Sequence, residues 1–358
     1  MQRGFIALVC WCFASAAWAD ATSKNAEQTA RWSTALEANL QSIARGFKGE
    51  ISLYVSDDVA GVTFRHNTEK PSYLASAVKF PFMVEVFRQR SLGTLSFEEE
   101  IPYTEDDVRD GAPRLNKEPF GKRFKIRQLL EFMVQASDNS ASDMLARRVG
   151  LENVNVGLKA MGFEGFGRFT YLIDVRRGMY RELGHRVDDL TPAQIRDIRW
   201  TSVWDPQARK VAEVLGLPAG SVSKEKLQAS MLAYYESGSN FARVDSYGLV
   251  LEALARRQLI NAEASEEMAA IMFGAKTSTS RLLGRLPPGT RVAHKTGSQY
   301  ERICDMGLIE LPDAKSIIVA CCVAGGNDRT RAEAVVAELT RTAYDLALPL
   351  HPKLQPAK

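Results

Sequence analysis

Ser76 and Lys79 stand three residues apart in Leu74-Ala-Ser-Ala-Val-Lys-Phe-Pro-Phe-Met. On a helix, positions three apart share a face, so the amine lies beside the hydroxyl. A serine hydroxyl alone is a weak nucleophile; a neighbouring amine that takes its proton activates it. The start of a helix also favours developing negative charge. The pair therefore suits attack on a carbonyl carbon. Two more short motifs follow, Ser137-Asp138-Asn139 and Lys295-Thr296-Gly297. Each is short enough to arise by chance. Their joint order, on a helix start, an inter-helix break and a strand, makes the set specific.

The elements that must position these residues are readable from periodicity. Ala26 to Ala44 has Trp32, Leu36, Leu40 and Ile43 on one helical face. Two alternating runs, from Gly49 and from Gly61, flank Asp57-Asp58-Val59-Ala60 and predict a hairpin. Pro81 would cost about 3 kcal/mol inside a helix, so the helix carrying Lys79 should begin at or near Ser76. Helices are expected over Lys125 to Ala136, about Ser140 to Val149, Val154 to Met161, Tyr247 to Leu259 and Ala264 to Met272. Three strands then run through Thr290 to Lys295, Ile303 to Leu311 and Lys315 to Val323, before a closing helix from Arg331 to Leu348.

This order predicts a two-lobed α+β fold. An antiparallel sheet of about five strands comes from both chain ends (about 26–72 and 285–350) and is flanked by the terminal helices. The middle, about 73–284, forms an all-helical lobe. A groove between lobes is the usual place for a ligand. Residues 170–244 are the hardest to place and read as an enlarged loop or insertion, with Trp200, Trp204 and Leu215-Gly-Leu-Pro-Ala-Gly.

The 358-residue chain has 45% hydrophobic and 25% charged residues, ordinary globular values. Its formal net charge is +3. That balance argues against nucleic acid or an anionic membrane surface as a partner. Residues 1–19 read as a secretory signal: Arg3, an apolar Phe5 to Phe13, and Ala17-Trp18-Ala19 before Asp20. Residues 20–358 are then an exported domain, periplasmic or secreted, with no later run long enough to span a bilayer. Cys304, Cys321 and Cys322 remain in it and read mainly as small buried hydrophobes, with a disulfide possible. No cofactor or metal is expected: the cysteine spacings match no zinc pattern, and His66, His185, His294 and His351 form no H-E-x-x-H. The sequence carries no signal for an oligomeric state.

With its three motifs, the chain resembles the penicillin-recognising serine acyltransferases, most closely the class A β-lactamase group, over about Trp32 to Leu346. The resemblance implies an acyl-enzyme at Ser76, with Lys79 as its proton partner and Ser137 carrying the proton to the leaving nitrogen. Asn139 would bond the substrate amide and Lys79. The backbone N–H groups of Ser76 and Ser298 would form an oxyanion hole, each donor contributing about 2.7–4 kcal/mol of transition-state stabilisation. Lys295, Thr296 and Gly297 would bind along a substrate carboxylate, and Arg302 could add a second cationic contact. The implied substrate is a β-lactam or a peptidoglycan stem peptide. His294, Asp305 and Asp138 read as structural. No G-x-S-x-G elbow is present, which argues against an α/β-hydrolase.

One part of the family pattern is missing. The relatives carry a loop glutamate in Glu-x-x-Leu-Asn that activates the deacylating water. Glu182, in Met179-Tyr-Arg-Glu-Leu-Gly, is the first candidate for that role. Glu236 is the rival, with Asn240 supplying the amide. An enzyme of β-lactamase type, a peptidoglycan D,D-peptidase and a non-catalytic binding protein are the readings left open.

Overall fold

The computed structural model describes residues 30–198, 203–326 and 328–351. The signal segment and Trp200 lie outside the described residues. Helix α1 (residues 30–45) precedes strands β1 (Glu50–Asp57), β2 (Val62–His66) and the short β3 (Ser72–Tyr73). A 3₁₀ turn, Ala75–Val78, leads into α2 (Lys79–Ser91). Strands β4 (Glu100–Pro102) and β5 (Arg123–Lys125) pair before α3 (Ile126–Gln135), α4 (Asn139–Val149) and α5 (Leu151–Ala160). Then come α6 (Leu172–Tyr180), α7 (Pro192–Asp197), α8 (Trp204–Leu215), α9 (Lys224–Tyr235) and β6 (Phe241–Ala242). Helices α10 (Val244–Ala255) and α11 (Ala262–Phe273), strands β7 (Val292–Gln299), β8 (Arg302–Glu310) and β9 (Ser316–Ala324), and α12 (Arg329–Ala347) complete the chain.

The main sheet has the order β2-β1-β9-β8-β7, with every neighbouring pair antiparallel. Strand β9 lies at its centre. Its run Ser-Ile-Ile-Val-Ala-Cys-Cys-Val-Ala is apolar on both faces, as a strand buried on both sides must be. Ile317, Val319, Cys321 and Val323 pack with Trp32, Leu36, Val335 and Leu339 of the two terminal helices. Ile318, Ala320 and Cys322 pack with Phe80 and Tyr247 of the helical lobe. Each such buried side chain contributes roughly 1.5–3 kcal/mol. The mixed α+β architecture expected from the sequence is the one observed.

Three local readings become specific. Ser76 sits on a 3₁₀ turn, and the α-helix starts only at Lys79. Pro81 thus falls in the first turn of α2, where its missing N–H has no intrahelical partner to lose. The disulfide left possible by the sequence forms: Cys304 and Cys322 lie directly opposite in the β8–β9 register, and Cys321 stays buried and free. Residues 170–244 are not a loop. Helices α6 to α9 close around their own apolar cluster, with Met179, Val211, Leu227 and Met231 at its centre. The segment returns through β6, which pairs with β3 just before Ser76.

Candidate active site

Ser76, Lys79, Ser137, Asn139 and Lys295 meet where β7, an edge strand, passes the Ala75–Val78 turn. The contact depends on Gly297. A Cβ there would lie 2.1 Å from the Leu74 carbonyl oxygen and 3.2 Å from the Ala77 nitrogen. Only glycine lets the strand press against the turn that bears Ser76. The turn itself is held in an uncommon conformation, with Ala75 at φ +48°. Ser137 is likewise left-handed, at φ +55°. Asp138 fixes the break between α3 and α4: it caps α4 by accepting from the Ala141 N–H at 2.9 Å. Its other oxygen accepts from the Arg114 and Leu115 N–H groups at 3.0 and 3.1 Å.

Lys79 is fully buried, and its amine is the hub. It donates to the Ser137 carbonyl at 2.5 Å and to Asn139 Oδ1 at 2.7 Å. Ser137 Oγ lies at 3.0 Å and Ser76 Oγ at 3.3 Å. The first two partners can only accept, so they consume two of its hydrogens. A neutral amine then turns its lone pair to the hydroxyls. Burial brings the Lys79 ammonium down from 10.5 to about 7, although Asp138, Asp143 and Asp110 pull the other way. Lys295, also fully buried, donates to the same Ser137 Oγ at 3.0 Å and to the Thr296 carbonyl at 3.0 Å. Burial, with the Lys79 charge adding to it, holds Lys295 well below its ordinary range. Ser137 is therefore a hydroxyl between two amines, each penalised for carrying a proton. That arrangement can move a proton from one side of a substrate to the other.

Ser298 and Gln299, at the end of β7, line one groove with Ser76, Ser137 and Asn139; its volume is about 690 Å³. Behind them stands a residue that the sequence reading missed. Arg281 is buried and donates to the Gly297 carbonyl at 2.9 Å, the Cys304 carbonyl at 3.0 Å and Ser298 Oγ at 2.5 Å, with Glu333 at 3.1 Å. It places a cation behind the Lys-Thr-Gly strand. Nothing in Ser278-Thr-Ser-Arg-Leu marks it out: its partners are brought in by the sheet, not by spacing. Thr296 bonds Thr277 at 2.9 Å. His294 pairs with Asp305 at 2.7 Å in the interior.

Three sequence candidates are not brought to this groove. Arg302 lies over the Tyr235 ring at 4.8 Å and lines a separate cavity with Tyr73 and Glu236. Glu182 is exposed on a single 3₁₀ turn, Arg181–Leu183, outside the groove lining. Glu236 is exposed at the C-terminus of α9. Asn240 is buried by its own duties, accepting from the Thr170 N–H at 3.1 Å and donating to Thr170 Oγ1 at 2.8 Å.

The wall that the sequence did not identify is built by Asp110 and Arg176. Arg176 on α6 donates through Nε to Asp110 Oδ2 at 2.7 Å, and its Nη1 reaches Gln299 Oε1 at 3.4 Å. Asp143 on α4 fixes the start of α6 by accepting from the Leu172 and Ile173 N–H groups at 2.6 and 3.1 Å.

The family described as "Beta-lactamase enzyme family" matches residues 35–347. Beta-lactamase VEB-1 of Pseudomonas aeruginosa is 22% identical over 323 residues, 87% of this chain and 90% of that protein. The crystal structure of a β-lactamase from Chitinophaga pinensis superposes with a TM-score of 0.68 at 21% identity, covering 87% of this chain and 99% of that one. The structure of PBP-A does so with a TM-score of 0.65 at 17% identity, covering 87% and 95%. At these identities the structural likeness speaks for the fold.

Proposed function

This chain belongs to the β-lactamase enzyme family and is a serine β-lactamase-like hydrolase, and we propose that it works through an acyl-enzyme on Ser76. The observation that carries the proposal is the buried Lys79 amine, with Ser76 Oγ at 3.3 Å and Ser137 Oγ at 3.0 Å. Lys79 in its neutral form takes the Ser76 proton as Oγ bonds to the carbonyl carbon. The C–N bond then breaks. The leaving nitrogen takes the Ser137 hydroxyl proton, which a lysine ammonium replaces. The substrate is a cyclic or acyclic amide with a nearby carboxylate, a β-lactam or a peptidoglycan stem peptide. Lys295 and Thr296 hold that carboxylate, with Arg281 behind them.

A second cavity, about 370 Å³, shares Ser298 and Gln299 with the groove and is otherwise lined by residues such as Trp204, Tyr300 and Arg329. Export is part of the proposal: the N-terminal signal pattern and the Cys304–Cys322 bond both suit an oxidising compartment. Nitrocefin hydrolysis together with intact mass after penicillin exposure tests the function. Turnover marks a lactamase, a stable adduct marks a peptidase-like acylase, and neither outcome would leave a binding protein.

A further inference from the structure

An acyl-serine is hydrolysed by a water whose proton needs an acceptor within hydrogen-bond reach. Neither Glu182 nor Glu236 supplies it, because both are exposed outside the groove. Two carboxylates line the groove itself, Asp110 and Asp197. Asp197 is on the rim, 52% exposed, and pairs with its neighbour Arg196 at 2.9 Å. Asp110 is inside, with its side chain 8% exposed. Its backbone is tied to the catalytic hub: the Asp110 carbonyl accepts from Asn139 Nδ2 at 2.7 Å, and Asn139 Oδ1 accepts from Lys79 at 2.7 Å. Its carboxylate is aimed by Arg176, whose Nε and Nη2 both meet Oδ2, at 2.7 and 2.6 Å. That leaves Oδ1 as the oxygen to face a water. Its negative charge is also among those felt by Lys79.

We propose that Asp110 is the general base of deacylation, doing from the loop before α3 what the relatives do from a glutamate loop. The proposal rests on the acyl-enzyme reading above. Asp110 accepts a proton from water as the water oxygen bonds to the acyl carbon. The tetrahedral adduct then breaks its bond to Ser76 Oγ, which takes a proton back. The products are a free carboxylic acid and the serine hydroxyl. Arg176 is a positioning residue that keeps the carboxylate oriented.

Time-resolved intact mass with a penicillin separates the two steps. Asp110→Asn should acylate at about the wild-type rate and lose the adduct on the order of 100-fold more slowly. Asp110→Glu keeps the ion pair but moves the oxygens. It should retain the wild-type melting temperature and discharge the adduct at an intermediate rate, so it carries the test if the Asn variant misfolds. Arg176→Lys should keep more of the deacylation rate than Arg176→Gln. Glu182→Gln should match wild type in both steps. Adduct loss at the wild-type rate in a folded Asp110→Asn or Asp110→Glu overturns the assignment. So does a wild type that holds its adduct for hours, because a working base would discharge it. A wild type that takes no adduct on Ser76 overturns the acyl-enzyme reading instead.

Discussion

The two walls of the groove handle buried charge in opposite ways. On the β7 side, Lys79 and Lys295 are stripped of water and bonded only to neutral oxygens. On the α6 side, the cations are locked to carboxylates: Arg176 to Asp110 at 2.6 Å and Arg109 to Asp143 at 2.6 Å. An amine without an ionic partner gives up its proton readily, whereas a guanidinium bonded to a carboxylate keeps its charge and its place. The first wall suits the proposed proton transfers, and the second holds the shape of the groove.

The largest effects should come from breaking the proton-moving wall. Ser76→Ala should abolish adduct formation, and Lys79→Ala should slow acylation by roughly 10²–10⁴-fold with little change in melting temperature. In the proposed mechanism the working form of Lys79 is the neutral amine, and burial brings its ammonium down to about 7. Acylation should therefore rise with pH up to about 7 and level off above it; below that, each unit should cost about tenfold. A flat profile from pH 5 to 9 would show that Lys79 is not the base.

Contact between the walls and the nucleophile turn comes next. Gly297→Ala must push β7 away from Leu74, and should cost about 1–3 kcal/mol of stability along with much of the acylation rate. Calorimetry and the adduct assay read the two separately. Removing the Cys304–Cys322 bond by a double alanine substitution opens a loop of sequence separation 18 and should cost roughly 2–4 kcal/mol in denaturant titration. The smallest effect should be at Arg302. Arg302→Ala should leave KM for carboxylate-bearing substrates unchanged, because its side chain lies on Tyr235. A clear rise in KM would return it to the substrate site.

How much of this was legible in the sequence follows the same division. Ser76 and Lys79 are neighbours on one turn, Ser137 and Asn139 flank one cap, and Lys295 to Ser298 lie on one strand, so local spacing brought them to notice. The sheet was equally readable, because β1, β7, β8 and β9 each carry a period or a continuous apolar run. Glu182, Glu236 and Arg302 misled because their candidacy rested on chain order beside a motif, while their side-chain directions are set by tertiary turns. Asp110, Arg176 and Arg281 were invisible for the converse reason. Their partners are far away in sequence: Asp110 meets Arg176 across 66 residues, and Arg281 meets Glu333 across 52. Residues 170–244 were the hardest to place because the apolar stripes of α6 to α9 face one another, not the main core.

An acyl bond at Ser76 is the central step of the proposed reaction. Its most direct test is the intact mass of wild type and Ser76→Ala after exposure to a penicillin at pH 7, with peptide mapping of the adduct. One penicillin per chain on the peptide containing Ser76 in wild type, and none in Ser76→Ala, is the expected result. Equal labelling of both proteins, or an adduct mapped elsewhere, would contradict it.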